Sequence, residues 1–243
     1  MLNQIEYMNP KDLPSVLKVL RGPYREHIQR YIFAKKFVEA CSVLDVACGT
    51  GYGSFELSGV AASVVGFEKN QSALSIAYAE YSSTNITYVE GDAKSLPFEN
   101  ETFDCVVCFE TLEHLPVTDI PLFLTELVRV LKRGGTLLLS TPHRDGLSLG
   151  YTSSNPHHTC EFSRDELADL IAPYVHVRTW YGQEFSDVRF IRFFKWLFSF
   201  LPNAVAQRIW RFVRVLYGCS GEVVEYTELN KVPLYMIIEC QKL

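Results

Sequence analysis

The chain predicts a doubly wound α/β domain around a mostly parallel sheet, and three observations predict it. From residue 42 onward, short apolar runs alternate with amphipathic helical stretches, the pattern of successive βαβ units. The first of these runs (SVLDVA, 42–47) ends on a glycine-rich turn, CGTGYG. A length of 243 residues, 48% of them apolar, suits one such domain with an insertion rather than two domains.

Each element follows from its local pattern. Residues 24–40 (YREHIQRYIFAKKFVEA) place apolar side chains at helical spacing and predict an amphipathic helix, so residues 1–40 are read as a helical cap. The run 42–47 is apolar enough for a parallel strand buried on both faces. After the glycine turn a helix is expected at 54–59, then a strand at 63–67, a helix at 71–81 and a strand at 86–90. A strong strand at 103–109 and a helix at 120–131 come next, and Gly134-Gly135 predicts a turn into a strand at 136–140. Ser163 with Glu166 three residues on (SRDE) forms a capping box that opens a further helix. Strands near 175–180 and 234–240 close the sheet.

Between those last strands, residues 188–221 contain no acid, six basic residues and nine aromatics, with Pro202-Asn203 dividing them into two expected helices. Arg189, Arg192 and Lys195 repeat at spacing three, as do Arg208, Arg211 and Arg214, so each trio forms one polar stripe opposite an apolar face. Such helices pack on the sheet as a flap, cover an apolar substrate, join two copies as a homodimer, or lie peripherally on an anionic membrane.

Composition excludes several classes. A net charge of −5 and a pI near 5.7 give no overall basic field, so nucleic acid is not an expected partner. The first residues lack a basic stretch followed by an apolar one, and no run approaches 18 apolar residues, so neither a secretory signal nor a membrane span is expected. Seven scattered cysteines fit a reducing, cytoplasmic setting. Cys105 and Cys108 form a CxxC, but FDCVVCF reads as a buried strand with no second pair, and no metal is expected.

The segment VLDVACGTGYGS lies where a strand hands over to a helix, the place at which open α/β sheets bind ligands. Gly49, Gly51 and Gly53 remove side chains where the backbone turns and approaches a ligand. Nineteen residues after Gly49, Glu68 stands at the second strand end, where an acid accepts from ribose hydroxyls. Asp92 stands at the third strand end, where it can accept from an adenine amine; the plain alternative makes both acids solvated caps or turns. A dinucleotide fingerprint needs glycine six positions into the loop, and Ser54 is there instead. No Arg or Lys in the loop matches a diphosphate, whereas Asp45 suits a ligand bearing a sulfonium and an amino group. S-adenosylmethionine is therefore favoured over NAD.

VLDVACGTGYG, GFEKN, GDAKSLPF, FDCVVCFETLEHL and LKRGGTLLLSTP together resemble the class I methyltransferases over residues 24–142. The similarity is greatest to the branch with the ubiquinone-biosynthesis, small-molecule and sugar enzymes. The resemblance implies a Rossmann-like, seven-stranded sheet of order 3-2-1-4-5-7-6 with the last strand antiparallel, and a helical insertion before that strand. It implies a cofactor site of Asp45, Ala47, Cys48, Gly49, Tyr52, Glu68, Lys69, Asp92 and Ala93, with Phe109 and Glu110 at the methionine end. Tyr24, His27 and Tyr31 are expected to cover that end. Ala47 departs from the family, which usually has glycine there, and a tighter pocket is expected.

An oxygen acceptor must lose a proton, and histidine is the natural base. His114, His143, His157 and His158 fall in regions expected around the carboxyl ends of the strands. His158, in NPHHTCEFS, resembles an N-P-x-H-x-x-E-[FY]-[ST] pattern of glycan and natural-product methyltransferases and is the expected base or substrate contact. His114 is the second catalytic candidate; its alternatives are cofactor contact or a metal site with Glu110 and Glu113, whose acids equally suit a helix start. The expected activity is methyl transfer from S-adenosyl-L-methionine to a small-molecule or lipid-linked acceptor, foremost a sugar oxygen. The alternatives are a silent cofactor-binding scaffold and an NAD-dependent reductase.

Overall fold

The computed structural model describes residues 23–147, 157–187, 223–227 and 231–243, with the single positions 200 and 205. The first 22 residues of the expected cap, and the expected insertion 188–221 apart from those two positions, lie outside the described residues. In chain order the elements are α1 (Pro23–Ala34), β1 (Ser42–Val46), α2 (Tyr52–Ser58), β2 (Ser63–Glu68), α3 (Gln71–Glu80), β3 (Ile86–Glu90) and β4 (Phe103–Phe109). There follow α4 (Ile120–Val130), β5 (Leu131–Pro142), α5 (Arg144–Leu147), α6 (Arg164–Ile171), β6 (Val175–Asp187), β7 (Val223–Glu225) and β8 (Lys231–Lys242). Single 3-10 turns at Lys35–Phe37 and Leu112–His114 follow α1 and β4.

The strands form one sheet of order β3-β2-β1-β4-β5-β8-β6-β7. Pairs among β1 to β5 are parallel, and β8 runs antiparallel to both β5 and β6. The expected order holds, with one strand more than expected. The extra strand, β7, has three residues and pairs Val223 to Glu225 against Gln183 to Tyr181 at the sheet edge.

Burial explains why these segments take these places. In β1 every residue from Val43 to Val46 is buried, as a central strand covered on both faces must be. In α4 the buried residues Ile120, Phe123, Leu124, Leu127 and Val130 recur at helical spacing and form a stripe against the sheet. One core cluster joins this stripe to Leu44, Val106 and Leu137, and a second gathers Tyr31, Ala34 and Val38 beside α1 with Val43, Val107 and Leu138.

Gly134-Gly135 is not a turn ahead of β5 but part of it. β5 already pairs at Leu131 with Phe103, and the next partners are Thr136 and Cys105, so the glycines lie in a bulge. Gly134 has φ +71°, and a Cβ on Gly135 would meet the Asp104 carbonyl oxygen at 2.8 Å. The other boundaries shift at the ends: α1 stops at Ala34, α2 begins two residues early, and β6 and β8 both outrun the expected strands.

Candidate cofactor and acceptor site

The carboxyl ends of β1, β2, β3 and β4 converge on a cavity of about 330 Å³, within the range of small-molecule sites. Of the residues expected at the cofactor, Ala47, Gly49, Glu68, Lys69, Asp92, Ala93 and Glu110 line it, and so does His114. Gly91, Lys94, Thr111, Leu115 and Phe123, which the sequence did not single out, complete much of the wall.

Glu68 ties β2 to the glycine loop. Its Oε2 accepts the Gly49 backbone N–H at 3.1 Å and its Oε1 that of Asn70 at 2.8 Å, and the residue is only 5% exposed. Asn70 in turn caps α3 by accepting from Ser72 and Ala73. Each Glu68 oxygen keeps a lone pair beyond its backbone contact. Asp92 combines both readings of the sequence. It lines the cavity, and its Oδ1 also accepts the Lys94 backbone N–H at 2.9 Å in a turn, with the side chain 58% exposed.

Asp45 is held by side chains of α1 and α2. It is fully buried beneath the loop and does not line the cavity, because Ser54 Oγ donates to one of its oxygens at 2.6 Å and Tyr31 Oη to the other at 3.2 Å. Burial raises its pKa to about 7, against the opposing pull of those two hydrogen bonds. Tyr31 thus acts from below the loop. Its ring packs edge-on against Tyr52 and Phe109, neither of which lines the cavity. Cys48 also points away, into a cluster with Leu74, Ala77, Tyr81 and Tyr88.

The glycines divide accordingly. Gly49, with φ +56°, is the one that approaches the cavity. A Cβ on Gly53 would meet the Tyr31 ring at 2.1 Å, and one on Gly51 would meet Ala77 Cβ and Tyr88 Oη at 2.6 Å. These two allow close packing rather than ligand approach. Ala47 carries φ +60° and Glu110 φ +52°, a left-handed backbone that glycine adopts freely and other residues rarely. The family's usual glycine at position 47 has its physical reason there.

At the end of β4, Glu110 is held from two sides. Its Oε1 accepts from Ser140 Oγ at 2.8 Å, and its Oε2 lies 3.8 Å from Nη2 of the fully buried Arg30. Arg30 also donates to Gln183 Oε1 at 2.7 Å and stacks its guanidinium 4.5 Å from the Tyr235 ring centre, which anchors α1 to β6 and β8. His27 sits on the same helix, half-buried, outside the cavity wall.

The 3-10 turn after β4 and residues 157–161 are stitched together through the backbone. The Thr159 N–H donates to the Glu113 carbonyl at 2.7 Å, and the Thr159 hydroxyl reaches the Glu113 and Leu115 carbonyls. This brings His158 beside His114, with ring centres 5.1 Å apart. His114 Nδ1 lies 3.2 Å from the His157 carbonyl, and His158 Nδ1 lies 2.9 Å from Glu161 Oε1. His157 lines the cavity and His158 does not. Glu113 is buried next to them, with Oε2 accepting from Thr141 Oγ1 at 2.9 Å, and burial together with the neighbouring Glu110 pushes its carboxyl well up. His143 is structural: buried, its Nδ1 accepts the Asp145 backbone N–H at the start of α5. Glu161 was legible only as the acid of the NPHHTCEFS pattern.

No helix among the described residues is long and apolar enough to cross a membrane.

Comparison with known proteins agrees with this geometry. A family profile described as a methyltransferase domain matches residues 43–135. A protein of Mycolicibacterium smegmatis, named a probable S-adenosylmethionine-dependent methyltransferase, is 37% identical over 53% of this chain and 49% of its own length. The phthiotriol/phenolphthiotriol dimycocerosates methyltransferase 1 of Mycobacterium ulcerans is also 37% identical, over 53% of this chain and 48% of its own. The chain therefore spans about half the length of these curated relatives. A solved S-adenosylmethionine-dependent methyltransferase of Thermotoga maritima superposes with a TM-score of 0.62 at 17% identity, over 90% of this chain and 92% of that one, a likeness of fold. The glycine loop and the acids at the next two strand ends lie inside the residues that match the methyltransferase domain, and over this stretch the chain is similar to S-adenosylmethionine-dependent methyltransferases.

Proposed function

We propose that the protein transfers a methyl group from S-adenosyl-L-methionine to an oxygen of a small-molecule or lipid-linked acceptor. The observation that carries the reading is the cavity at the strand ends, walled by Gly49, Glu68 and Asp92 and bordered on its far side by His114. Its donors and acceptors suit the cofactor. Glu68 keeps lone pairs for ribose hydroxyls, Asp92 Oδ2 suits an exocyclic amine, and the left-handed bend at Ala47 puts only a methyl group at the cavity wall. When bound, the cofactor supplies an electrophilic methyl group on a sulfonium.

The protein's part is alignment, exclusion of water and handling of the acceptor's proton. A carboxylate only accepts, so the proton of His158 sits on Nδ1 facing Glu161, and Nε2 is left to take a proton from an alcohol. His114 lines the cavity and packs against His158, so in this reading it is the acceptor's first contact. The phthiotriol relatives and the basic, aromatic composition of residues 188–221 favour an apolar, lipid-linked acceptor, and the NPHHTCEFS pattern favours a sugar oxygen within it.

Incubation with methyl-labelled cofactor and fractionated extract tests this reading. Label is expected in a lipid or glycolipid fraction, together with S-adenosylhomocysteine. Cofactor that binds and is never turned over, across lipid, sugar, protein and nucleic-acid fractions, returns the protein to a silent binding role. Wild-type protein is expected to pellet with anionic vesicles, and a variant with Arg208, Arg211 and Arg214 changed to Glu is not; wild type that stays in the supernatant removes the membrane contact.

A further inference from the structure

Arg30 is fully buried, yet its guanidinium is hydrogen-bonded through Nη1 alone, to Gln183 Oε1 at 2.7 Å. Among the described residues Nε and Nη2 have no hydrogen-bond partner, and Nη2 lies 3.8 Å from Glu110 Oε2. A guanidinium buried in this half-satisfied state costs stability that an apolar side chain in the same space would not. Anchoring α1 accounts for the bond to Gln183 and the stacking on Tyr235, but not for the approach to Glu110. Glu110 is unusual in its own way. Its backbone is left-handed at φ +52°, which a residue with a long side chain adopts only where its surroundings impose it. Ser140 supplies that constraint: its carbonyl and hydroxyl oxygens accept the Glu110 N–H at 3.0 and 3.2 Å, and its hydroxyl donates to Oε1 at 2.8 Å. Glu110 lines the cavity, and its side chain is 11% exposed rather than sealed. At 3.8 Å the arginine balances the charge of Oε2 without taking up its lone pairs, so that oxygen still accepts.

We propose that Arg30 is a positioning residue that fixes the Glu110 carboxylate as the partner of the cofactor's α-ammonium group, and so selects nucleosides that carry an amino acid. The inference rests on the cofactor reading above. The sheet order β3-β2-β1-β4 sets Asp92, Glu68, Gly49 and Glu110 along the cavity in one direction. Adenine, ribose, sulfonium and amino acid follow one another in the cofactor in that same order, which leaves Glu110 for the amino-acid end. An arginine stays charged in a dry interior, where its attraction for a carboxylate is stronger than in water. It therefore holds Glu110 in place and in charge before any ligand arrives, and acts on the ligand only through that acid.

Two ligands of the full chain separate this role from plain support of the fold: S-adenosylhomocysteine, which carries the amino acid, and methylthioadenosine, which lacks it. In a calorimeter, wild type is expected to bind the first more tightly. Arg30→Met should weaken S-adenosylhomocysteine about tenfold or more and leave methylthioadenosine within about twofold, and Glu110→Gln should do the same. The double variant should lose no more than Glu110→Gln alone. Equal losses for both nucleosides in Arg30→Met, a preference kept at wild-type strength, or losses that add in the double variant each overturn the role. Should Arg30→Met not fold by circular dichroism, the unaltered chain still decides. The NMR signal of the Arg30 Nε–H is expected to move when S-adenosylhomocysteine is added and to stay when methylthioadenosine is. A signal that answers both alike, or neither, overturns the role. Wild type that binds the two nucleosides equally removes this inference alone, whereas wild type that binds neither strikes the cofactor reading and this inference with it.

Discussion

The two sides of the cavity are built differently. On the cofactor side, consecutive strand ends deliver the glycine loop, Glu68 and Asp92 within 50 residues, and each acid is fixed by backbone N–H groups, Glu68 by those of Gly49 and Asn70 and Asp92 by that of Lys94. On the acceptor side, His114 and His158 stand 44 positions apart in sequence and meet because the Thr159 N–H and hydroxyl seize carbonyls of the turn after β4. The first arrangement is local and regular. The second is long-range and held by irregular backbone. The difference teaches that this fold keeps cofactor recognition inside contiguous sequence and leaves the chemistry of the acceptor to a contact between two loops.

The sharpest way to break this division is His158→Ala. It should cut turnover by about 100-fold or more while cofactor affinity stays at the wild-type value by calorimetry; a change in cofactor affinity would mean that the two sides are not separable. Glu68→Ala should do the converse, weakening cofactor binding at least tenfold, about 1.4 kcal/mol. Unchanged binding would refute its ribose role. Gly53→Ala drives a methyl into the Tyr31 ring and should cost about 1–3 kcal/mol in denaturant unfolding, with cavity contacts untouched; wild-type stability would show that Tyr31 has room to move.

Smaller effects sharpen the cofactor side further. Ala47→Gly removes a side chain from left-handed backbone and should change stability by no more than about 1 kcal/mol, in the stabilising direction. A lower melting temperature would show that the methyl group's packing outweighs the strain. Asp45 predicts a pH dependence. Its folded pKa of about 7 exceeds the ordinary 3.8, so the folded state holds more protons between those values. Stability contributed by this group therefore falls as pH rises through that window and is level above it. Asp45→Asn should flatten this part of the curve in thermal melts at pH 5 and pH 8; identical slopes in both proteins would place the effect elsewhere.

What the sequence revealed follows the same division. The order of strands, the glycine loop and the acids at Glu68 and Asp92 were legible because apolar periodicity and turn residues are local signals. Ser54 was read as a break in the dinucleotide pattern, but nothing in the sequence told that its hydroxyl secures Asp45, and so Asp45 was expected at the ligand. Likewise β7 was missed because three residues at a sheet edge carry no period. The bulge in β5 hid behind a glycine pair that also suits a turn. Glu113 gave no sign of burial, since an acid four residues past a strand most often faces water. The pairing of His158 with His114 was out of reach, because carbonyls of the turn after β4 bring them together and any residue type supplies a carbonyl.

The ladder between β6 and β8 runs from Val175–Lys242 to Asp187–Lys231, and β7 returns beside Gln183. The two ends of the connection from β6 to β7 are thus paired in the same sheet. Lengthening such a loop adds only about 0.6 kcal/mol of closure entropy per doubling. Descendants of this sequence can therefore lengthen, shorten or exchange that stretch, and with it whatever it touches, while the machinery at the other end of the sheet is inherited unchanged.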